Sequence, residues 1–546
     1  MRILVCFKTT PVWERVLESD WEHFSEHADL SYAGKQMNCF DESALELALR
    51  LKDVILKQGR EATCAAITAG ALPPAFAQTL FAAGFDDAAS LGTDNIEFAP
   101  AAVSAALSEY AAQARYDLIL TGKAAGMADT GLVPLLLAQR LGLPLLQDAL
   151  DVQLCEGGMA VWCQEPDGIW ERRVRTPLLV SVGNSSAVLR AVPLRARLAV
   201  KNREARTIPL NILTDSGERQ FSRPFSKRTC TFLPGDALIE KLLKELEWPP
   251  QTRGSDLPNC DSLPPSGAAH LPPPSSGSPK SKAFWGGSSE GGMVYPPNTV
   301  VYDSSNIPWY DADETLACLV ADWRDRRPDY ALLPDTNSGR QLAAGLAATT
   351  GSFLLTAASL SAVGTVSRRV CASNLVWTQL PSLPVVLTMA QLPANVERIP
   401  LTAEVSSPAW LISEEQISPA ADNGFANPQL VVICGAGMGS RENCDKARRL
   451  ADNLGAGFGL TRMAALSGWG SPDEIVGQSG ASVSPEICLV LGASGAGAFA
   501  VGIENAGKVL AINIDRSALI FGNADIGMIT DAPALVDKLL ERMDSL

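Results

Sequence analysis

The chain has 546 residues, 47% of them hydrophobic and 19% charged, with a formal net charge of −15. At about 150 residues per domain this length predicts three or four domains, and the composition suits a chain able to bury several cores. The acidic balance argues against a nucleic acid or an anionic membrane surface as partner, because binding phosphate needs clustered Lys and Arg.

The chain opens directly as a strand at Ile3 to Phe7, and no apolar run reaches the ~20 residues that span a bilayer, so a cytoplasmic location is expected. Asp41 to Leu56 reads as a helix, with Asp41 and Glu42 favouring its N-terminus. Strand and helix then alternate: Ala62 to Thr68, Pro73 to Ala83, Ala88 to Leu91, Ala99 to Arg115, Asp117 to Leu120, Asp129 to Leu141 and the strand Leu178 to Val182. This alternation predicts a parallel doubly wound sheet. A basic tail follows from Arg190 to Arg206. From 212 to 295 Pro, Ser and Gly dominate, and the stretch reads as a linker, partly disordered, with one helix at Gly235 to Glu247.

Alternation resumes at Thr299 to Tyr302, then a helix at Ala312 to Arg324, a strand at Tyr330 to Leu333 and a helix at Gln341 to Thr349. A strand-rich part runs from Arg369 to Met389. Ser406-Ser407-Pro408 and Pro419 to Pro428 read as hinge material. The expected organisation is therefore α/β throughout, with several doubly wound parallel-sheet domains. Their bounds are 1–211, a linker 212–295, then 296–410 and 429–546.

In the last domain three apolar strands each end at a turn. Val431-Val432-Ile433 runs into Cys434-Gly435-Ala436-Gly437-Met438-Gly439-Ser440. Ile487 to Leu491 runs into Gly492-Ala493-Ser494-Gly495-Ala496-Gly497, and Val509 to Ile512 into Asn513-Ile514-Asp515. Glycines at strand ends let a phosphate approach the backbone, and the following helix N-terminus favours negative charge. A second loop, Gly122-Lys123-Ala124-Ala125-Gly126-Met127-Ala128-Asp129-Thr130-Gly131, lies between a strand and a helix. It is either a phosphate-holding turn or a plain strand-to-helix loop.

The twelve cysteines include no CxxC pair, and the three histidines are His23, His27 and His270. His23 and His27 could share a helix face, but no Cys-His constellation accompanies them and no metal is expected. No paired catalytic carboxylates and no nucleophile with a base stand out.

Asn38-Cys39-Phe40-Asp41-Glu42-Ser43-Ala44-Leu45-Glu46-Leu47-Ala48-Leu49-Arg50-Leu51-Lys52 closely resembles the N-P-F-D-E-x-A-L-E-x-A-L-R-L-K signature of the electron transfer flavoprotein β subunit. The Gly122 loop resembles that family's G-K-Q-A-x-D-G-D-T-x-Q-V nucleotide loop. This resemblance covers roughly residues 1 to 210. The C-terminal region resembles the α subunit's FAD-binding domain. Thr461-Arg462-Met463-Ala464-Ala465 matches S-R-A-A-V, and Val476-Gly477-Gln478-Ser479-Gly480 matches V-G-Q-T-G. Ser494-Gly495-Ala496 opens S-G-A-I-Q-H, Asn513-Ile514-Asp515 matches N-K-D, and Asn523 to Gly527 matches V-A-D-Y-G. Arg369-Val370-Cys371-Ala372-Ser373-Asn374 is similar to R-P-x-Y-A-G-N of the α-subunit N-terminal domain.

The resemblance implies a β subunit fused to a shortened α subunit. It implies nucleotide domains of the adenine nucleotide α-hydrolase-like kind plus an FAD-binding domain. One FAD would have Arg462 near its ring, Ser479 at the ring N5, and Gln478, Gly480, Ser494, Gly495 and Ala496 along the ring edge and pyrophosphate. Asn513 and Asp525 would serve the adenosine end. In the β-type loop Gly122, Lys123, Asp129, Thr130 and Gly131 would hold a second nucleotide. This is AMP in common members and a second FAD in bifurcating ones.

Departures from the pattern are Phe499 in place of a histidine, and Ala124, Met127 and Leu132 in the β-type loop. Leu194 and Arg195 fall where the family's partner-recognition loop lies. The implied function is an electron carrier between a flavin-dependent dehydrogenase, of acyl-CoA type, and a quinone reductase or other acceptor. An NADH-oxidising bifurcating variant and a nucleotide-binding module without flavin are the other readings.

Overall fold

The structure, a computed structural model, describes residues 1–13, 30–92, 99–124, 130–165, 167–183, 187–209, 220–222, 228–234, 295–304, 312–371, 375–401, 407–419, 429–477 and 480–544. It also describes Val16, Asp20, Trp21, Phe24, Ile307, Pro308 and Phe425. His23, His27, His270, Asp129, Gln478 and Ser479 lie outside the described residues, as does the helix expected at Gly235 to Glu247.

In the first strand, Arg2–Phe7, apolar side chains alternate: Ile3, Val5 and Phe7 enter one core, Leu4 and Cys6 the other. A strand buried on both faces needs helices on both faces. The helix Cys39–Lys57 covers the first, burying Leu45, Leu49 and Ile55, while Leu107 of Pro100–Ala114 and Leu135 of Leu132–Leu141 cover the second. The sheet order is Arg206–Pro209, Asp87–Gly92, Thr63–Ala69, Arg2–Phe7, Leu118–Gly122, Leu178–Val182 and Leu145–Cys155, all parallel. Two antiparallel strands, Gly158–Glu165 and Gly168–Val174, extend it.

The tenth and last strand of this sheet is Leu411–Pro419, which pairs antiparallel with Gly168–Val174. The stretch between the two pieces of expected hinge material is thus an edge strand, carried into the sheet by backbone hydrogen bonds that its polar sequence, Ser413-Glu414-Glu415-Gln416, does not announce. Glu414 meets the buried Arg172, which also pairs with Glu165 at 2.7 Å.

Residues 299–400 form a five-stranded parallel sheet in the order Phe353–Leu355, Val385–Met389, Tyr330–Pro334, Thr299–Asp303 and Glu397–Pro400. A four-stranded antiparallel sheet stands beside it, built from Ser359–Leu360, Val366–Val370, Leu375–Gln379 and Gln220–Ser222. The C-terminal sheet has six parallel strands, Thr231–Phe232, Ile526–Ile529, Lys508–Asn513, Ile487–Leu491, Leu430–Cys434 and Gly457–Leu460.

Two pieces of the expected linker therefore belong to sheet edges. Each is anchored by an aromatic ring that the surrounding Pro, Ser and Gly conceal: Phe221 lies 5.1 Å edge-on to Phe24, and Phe232 lies 5.0 Å from Phe521. Among the described residues no helix is long and apolar enough to cross a membrane.

Candidate cofactor site

In an open parallel sheet the ligand cleft forms where strand order reverses, beyond the carboxyl ends of the two diverging strands. The C-terminal sheet reverses between Leu430–Cys434 and Ile487–Leu491. There the two glycine turns interlock. Gly435 N–H donates to the Leu491 carbonyl and Gly437 N–H to the Gly492 carbonyl, both at 2.8 Å. A Cβ on Gly435 would stand 2.4 Å from the Gly492 oxygen, so no larger residue fits without moving backbone. Gly495, at φ +83°, lies under Ile520, and a Cβ on Gly480 would fall 1.9 Å from the Ile475 carbonyl oxygen. Ser440 caps the helix Arg441–Asn453 by accepting from Asn443 N–H at 3.2 Å.

Arg462 begins the short helix Arg462–Leu466, next to this edge, because Thr461 N–H donates to the Cys434 carbonyl at 2.8 Å. Val476 N–H donates to the Leu460 carbonyl at 2.9 Å, so the turn ending at Gly480 runs alongside the Arg462 segment. The Arg462 Nε is buried with no hydrogen-bond partner among the described residues. A buried guanidinium N–H without an acceptor costs free energy and marks a place where a ligand oxygen or nitrogen belongs. The glycine cradle and this orphan donor together fit a cofactor with a pyrophosphate and a polar ring edge. Glu42 of the helix Cys39–Lys57 lies within range of the Arg462 charge: burial holds the Glu42 carboxyl above the usual range, and Arg462 offsets part of that rise.

The structure brings Arg462, Gly480, Ser494, Gly495 and Ala496 to this one edge, with Ser494 exposed and its carbonyl accepting from Ile520 N–H at 3.0 Å. Asn513 and Asp525 have structural tasks there. Asn513 donates to the Ala493 carbonyl at 2.8 Å and accepts from Asp515 N–H at 2.9 Å. Asp525 accepts from Val509 N–H at 2.7 Å and pairs with Arg228. Phe499, where a histidine was expected, is buried among Val476, Ile503 and Ile520 and turns into the core.

The N-terminal sheet reverses between Arg2–Phe7 and Leu118–Gly122, and a cleft of about 750 Å³, open mouth included, lies there. Cys6, Lys8, Asp41, Thr121, Gly122, Thr130 and Gly131 line its polar end, and Val103, Leu107 and Pro134 its apolar side. Asp41 is the organising residue that sequence reading passed over as a helix-start charge. Its carboxylate accepts from Lys8 N–H and Gly122 N–H at 2.8 Å and from Asn38 at 2.9 Å, which ties the two diverging strands together. Burial nonetheless pushes its carboxyl up to about 7, against those three bonds.

Lys123 reaches away to Asp148, 2.7 Å from its Nζ, so the expected phosphate lysine is held in an ion pair. Thr121 carries a hydroxyl that is buried and has no partner among the described residues. Leu194 is 72% exposed and Arg195 is exposed beside it, whereas Arg190 of the same run is held by Glu46 and Asp53.

Comparison with known proteins matches two separate stretches of the chain. The family described as "Electron transfer flavoprotein domain" matches residues 29–211, and "Electron transfer flavoprotein FAD-binding domain" matches residues 425–504. The Escherichia coli chain YgcQ, named as an electron transfer flavoprotein subunit, is 31% identical over 242 residues, 42% of this chain and 83% of the relative. Protein FixB of Azorhizobium caulinodans is 30% identical over 234 residues, 39% of this chain and 63% of the relative. The mitochondrial electron transfer flavoprotein subunit alpha of Arabidopsis thaliana is 31% identical over 177 residues, 32% of this chain and 48% of the relative. With these two family matches and a relative 31% identical over 83% of its length, the chain belongs to the electron transfer flavoprotein family.

Proposed function

We propose that this chain is a single-chain electron carrier, a β-type unit fused to a shortened α-type unit, with one FAD on the C-terminal cradle. It would accept electrons from a flavin-dependent dehydrogenase, of acyl-CoA type, and pass them to a quinone reductase or other acceptor oxidoreductase. The observation that carries this reading is the orphan Arg462 Nε beside a glycine-built cradle. Bound FAD would supply the redox chemistry; the chain positions it and tunes its charge.

Arg462 would favour the more negatively charged ring, and its neighbour Glu42 would moderate that pull. Gln478, Ser479 and Gly480 would serve the ring edge, and Ser494, Gly495 and Ala496 the pyrophosphate. Asn513 and Asp525 would shape the adenosine end from behind, since their polar atoms already hold backbone. The N-terminal cleft would take AMP, with the Thr121 hydroxyl among its contacts. Leu194 and Arg195 suit partner docking: an exposed apolar anchor beside a guanidinium that makes no ion pair among the described residues.

The test is the visible spectrum and flavin content of the purified full chain, followed by acid extraction of nucleotides. One FAD per chain with AMP supports the proposal. Two FADs with NADH oxidation would make it a bifurcating member, and a colourless protein would sink the carrier reading. Arg462→Ala should lower the two-electron midpoint potential by about 30 mV or more, the equivalent of one lost charged hydrogen bond. An unchanged potential would remove Arg462 from the ring.

A further inference from the structure

The lip of the N-terminal cleft is held from the other half of the chain. Thr130 and Gly131 close the cleft just before the helix Leu132–Leu141, with Gly131 at φ +61° and the Thr130 hydroxyl accepting from Leu132 N–H at 3.4 Å. The Thr130 carbonyl accepts a hydrogen bond from the hydroxyl of Thr356, 226 residues away and itself 0% exposed.

Thr356 is in turn fixed. Arg368 donates to its carbonyl and, at 3.2 Å, to its hydroxyl oxygen. The next residue, Ala357, sits in the left-handed region at φ +46°, and its N–H is held by Thr388 Oγ1 at 3.0 Å and Asp335 at 3.2 Å. Asp335 is gripped by Nε and Nη2 of Arg340, at 2.8 and 2.6 Å, and its carboxyl stays below the usual range through those bonds despite burial. A chain of hydrogen bonds, buried at its last link, thus runs from Arg340 through Asp335 and the Thr356–Ala357 turn to the lip of the N-terminal cleft. Strain at Ala357 is sustained only because its surroundings over-determine it.

We infer that Thr356, braced by Arg368, is a positioning residue for nucleotide binding in the N-terminal cleft. It fixes the Thr130–Gly131 lip so that the N–H of Val133, at the start of Leu132–Leu141 and in the cleft lining, and the unpartnered Thr121 hydroxyl converge on one anionic ligand. The helix start alone would not mark a site. The Thr121 hydroxyl, in a residue 3% exposed and lining the same cleft, is the independent sign that a ligand atom belongs there. The nucleotide site is in this sense built by both halves, and occupancy must stabilise their contact as much as that contact favours occupancy. This inference rests on reading the cleft as the AMP site.

The test uses the full chain, stripped of nucleotide and titrated with AMP by calorimetry. Wild type binds one AMP; Thr356→Val, which deletes the donor and keeps the shape, weakens binding about tenfold, and Thr356→Ser restores it to within about twofold, as expected for one buried hydrogen bond. AMP also slows hydrogen exchange at the Ala357 and Ala358 amides in wild type and leaves them unchanged in Thr356→Val. A purely structural role would lower the melting temperature of Thr356→Val and leave both readouts at wild-type values, which would overturn the inference. If Thr356→Val does not fold, Arg368→Gln serves, with an expected loss of about threefold. Equal AMP affinity in the variants overturns this inference alone; no AMP binding by wild type overturns the reading of the cleft with it.

Discussion

The two strand-order reversals in this molecule build their clefts from different materials. At the C-terminal one, Gly435, Gly437, Gly492 and Gly495 press backbone against backbone, and the Arg462 Nε is left buried without a partner among the described residues. At the N-terminal one, a single side chain, Asp41, bridges the diverging strands, and Lys123 is already paired. A cradle made of main chain has fixed shape and no titrating part. A cleft organised by a buried carboxyl answers to pH. The same topology therefore gives one site set by steric fit and another set by protonation.

The sharpest way to break the comparison is Gly495→Ala. Its Cβ would lie 2.1 Å from Ile520 N in a left-handed conformation. Strain and overpacking together should cost about 2–5 kcal/mol, with loss of bound flavin measured as visible absorbance per chain. Gly439→Ala is the control. It has φ +75° but nothing within 4 Å, so only the conformational cost of about 1–2 kcal/mol applies. If both variants keep full flavin content, the cradle is not the cofactor site.

Asp41 gives the next largest effect, and its sign is opposite to that of an ion-paired carboxylate. Its carboxyl rises from 3.8 to about 7 on folding. Between those values the folded chain holds a proton that the unfolded chain has lost. Stability of the N-terminal unit should then fall as pH rises from about 4 to about 7, by on the order of 4 kcal/mol at most, and level off above. Asp41→Asn should flatten this slope while starting lower, because an amide has one acceptor oxygen for three donors. Native-state hydrogen exchange of the Arg2–Phe7 amides at pH 5.5 and 7.5, corrected for intrinsic rates, reads it out. An equal slope in the variant would assign the pH dependence elsewhere.

The α/β alternation and the glycine turns were legible because period-2 burial and φ > 0 leave direct marks on residue type. Strand Arg2–Phe7, helix Cys39–Lys57 and the cradle turns stand where the pattern put them. What escaped were features fixed by partners distant in sequence. Leu411–Pro419, between the two pieces of hinge material, shows no strand pattern because an edge strand buries little side chain. Asp41 reads as a helix-start charge, yet its bonding partners stand as far off as Gly122, 81 residues away. Thr356 carries no local signal at all; its meaning comes from a bond to Thr130.

A smaller effect concerns Arg228, in the stretch that composition marks as linker. Its guanidinium is 17% exposed and donates to Asp525 and to the carbonyls of Glu504, Ala506 and Gly507. It stands three residues before the edge strand Thr231–Phe232, which adds to Ile526–Ile529. Glu504 also pairs with Arg369 of the antiparallel sheet, so this corner joins three parts of the chain. Arg228→Ala leaves Asp525 its bond to Val509 N–H, and Phe232 still meets Phe521. The cost should stay near 1–2 kcal/mol, since Asp525 is partly solvated. It should also be local, seen as faster hydrogen exchange at Thr231 and Leu233, whose amides donate to Asp525 and Gly527. Arg195→Ala, with no ion pair to lose among the described residues, should change stability by less than about 0.5 kcal/mol. Faster exchange confined to this edge, with flavin content unchanged, would mean that the clip aligns the edge strand without building the cradle. Loss of flavin from Arg228→Ala would instead make Asp525 part of the cofactor site itself, because a freed carboxylate would then stand beside the adenosine end.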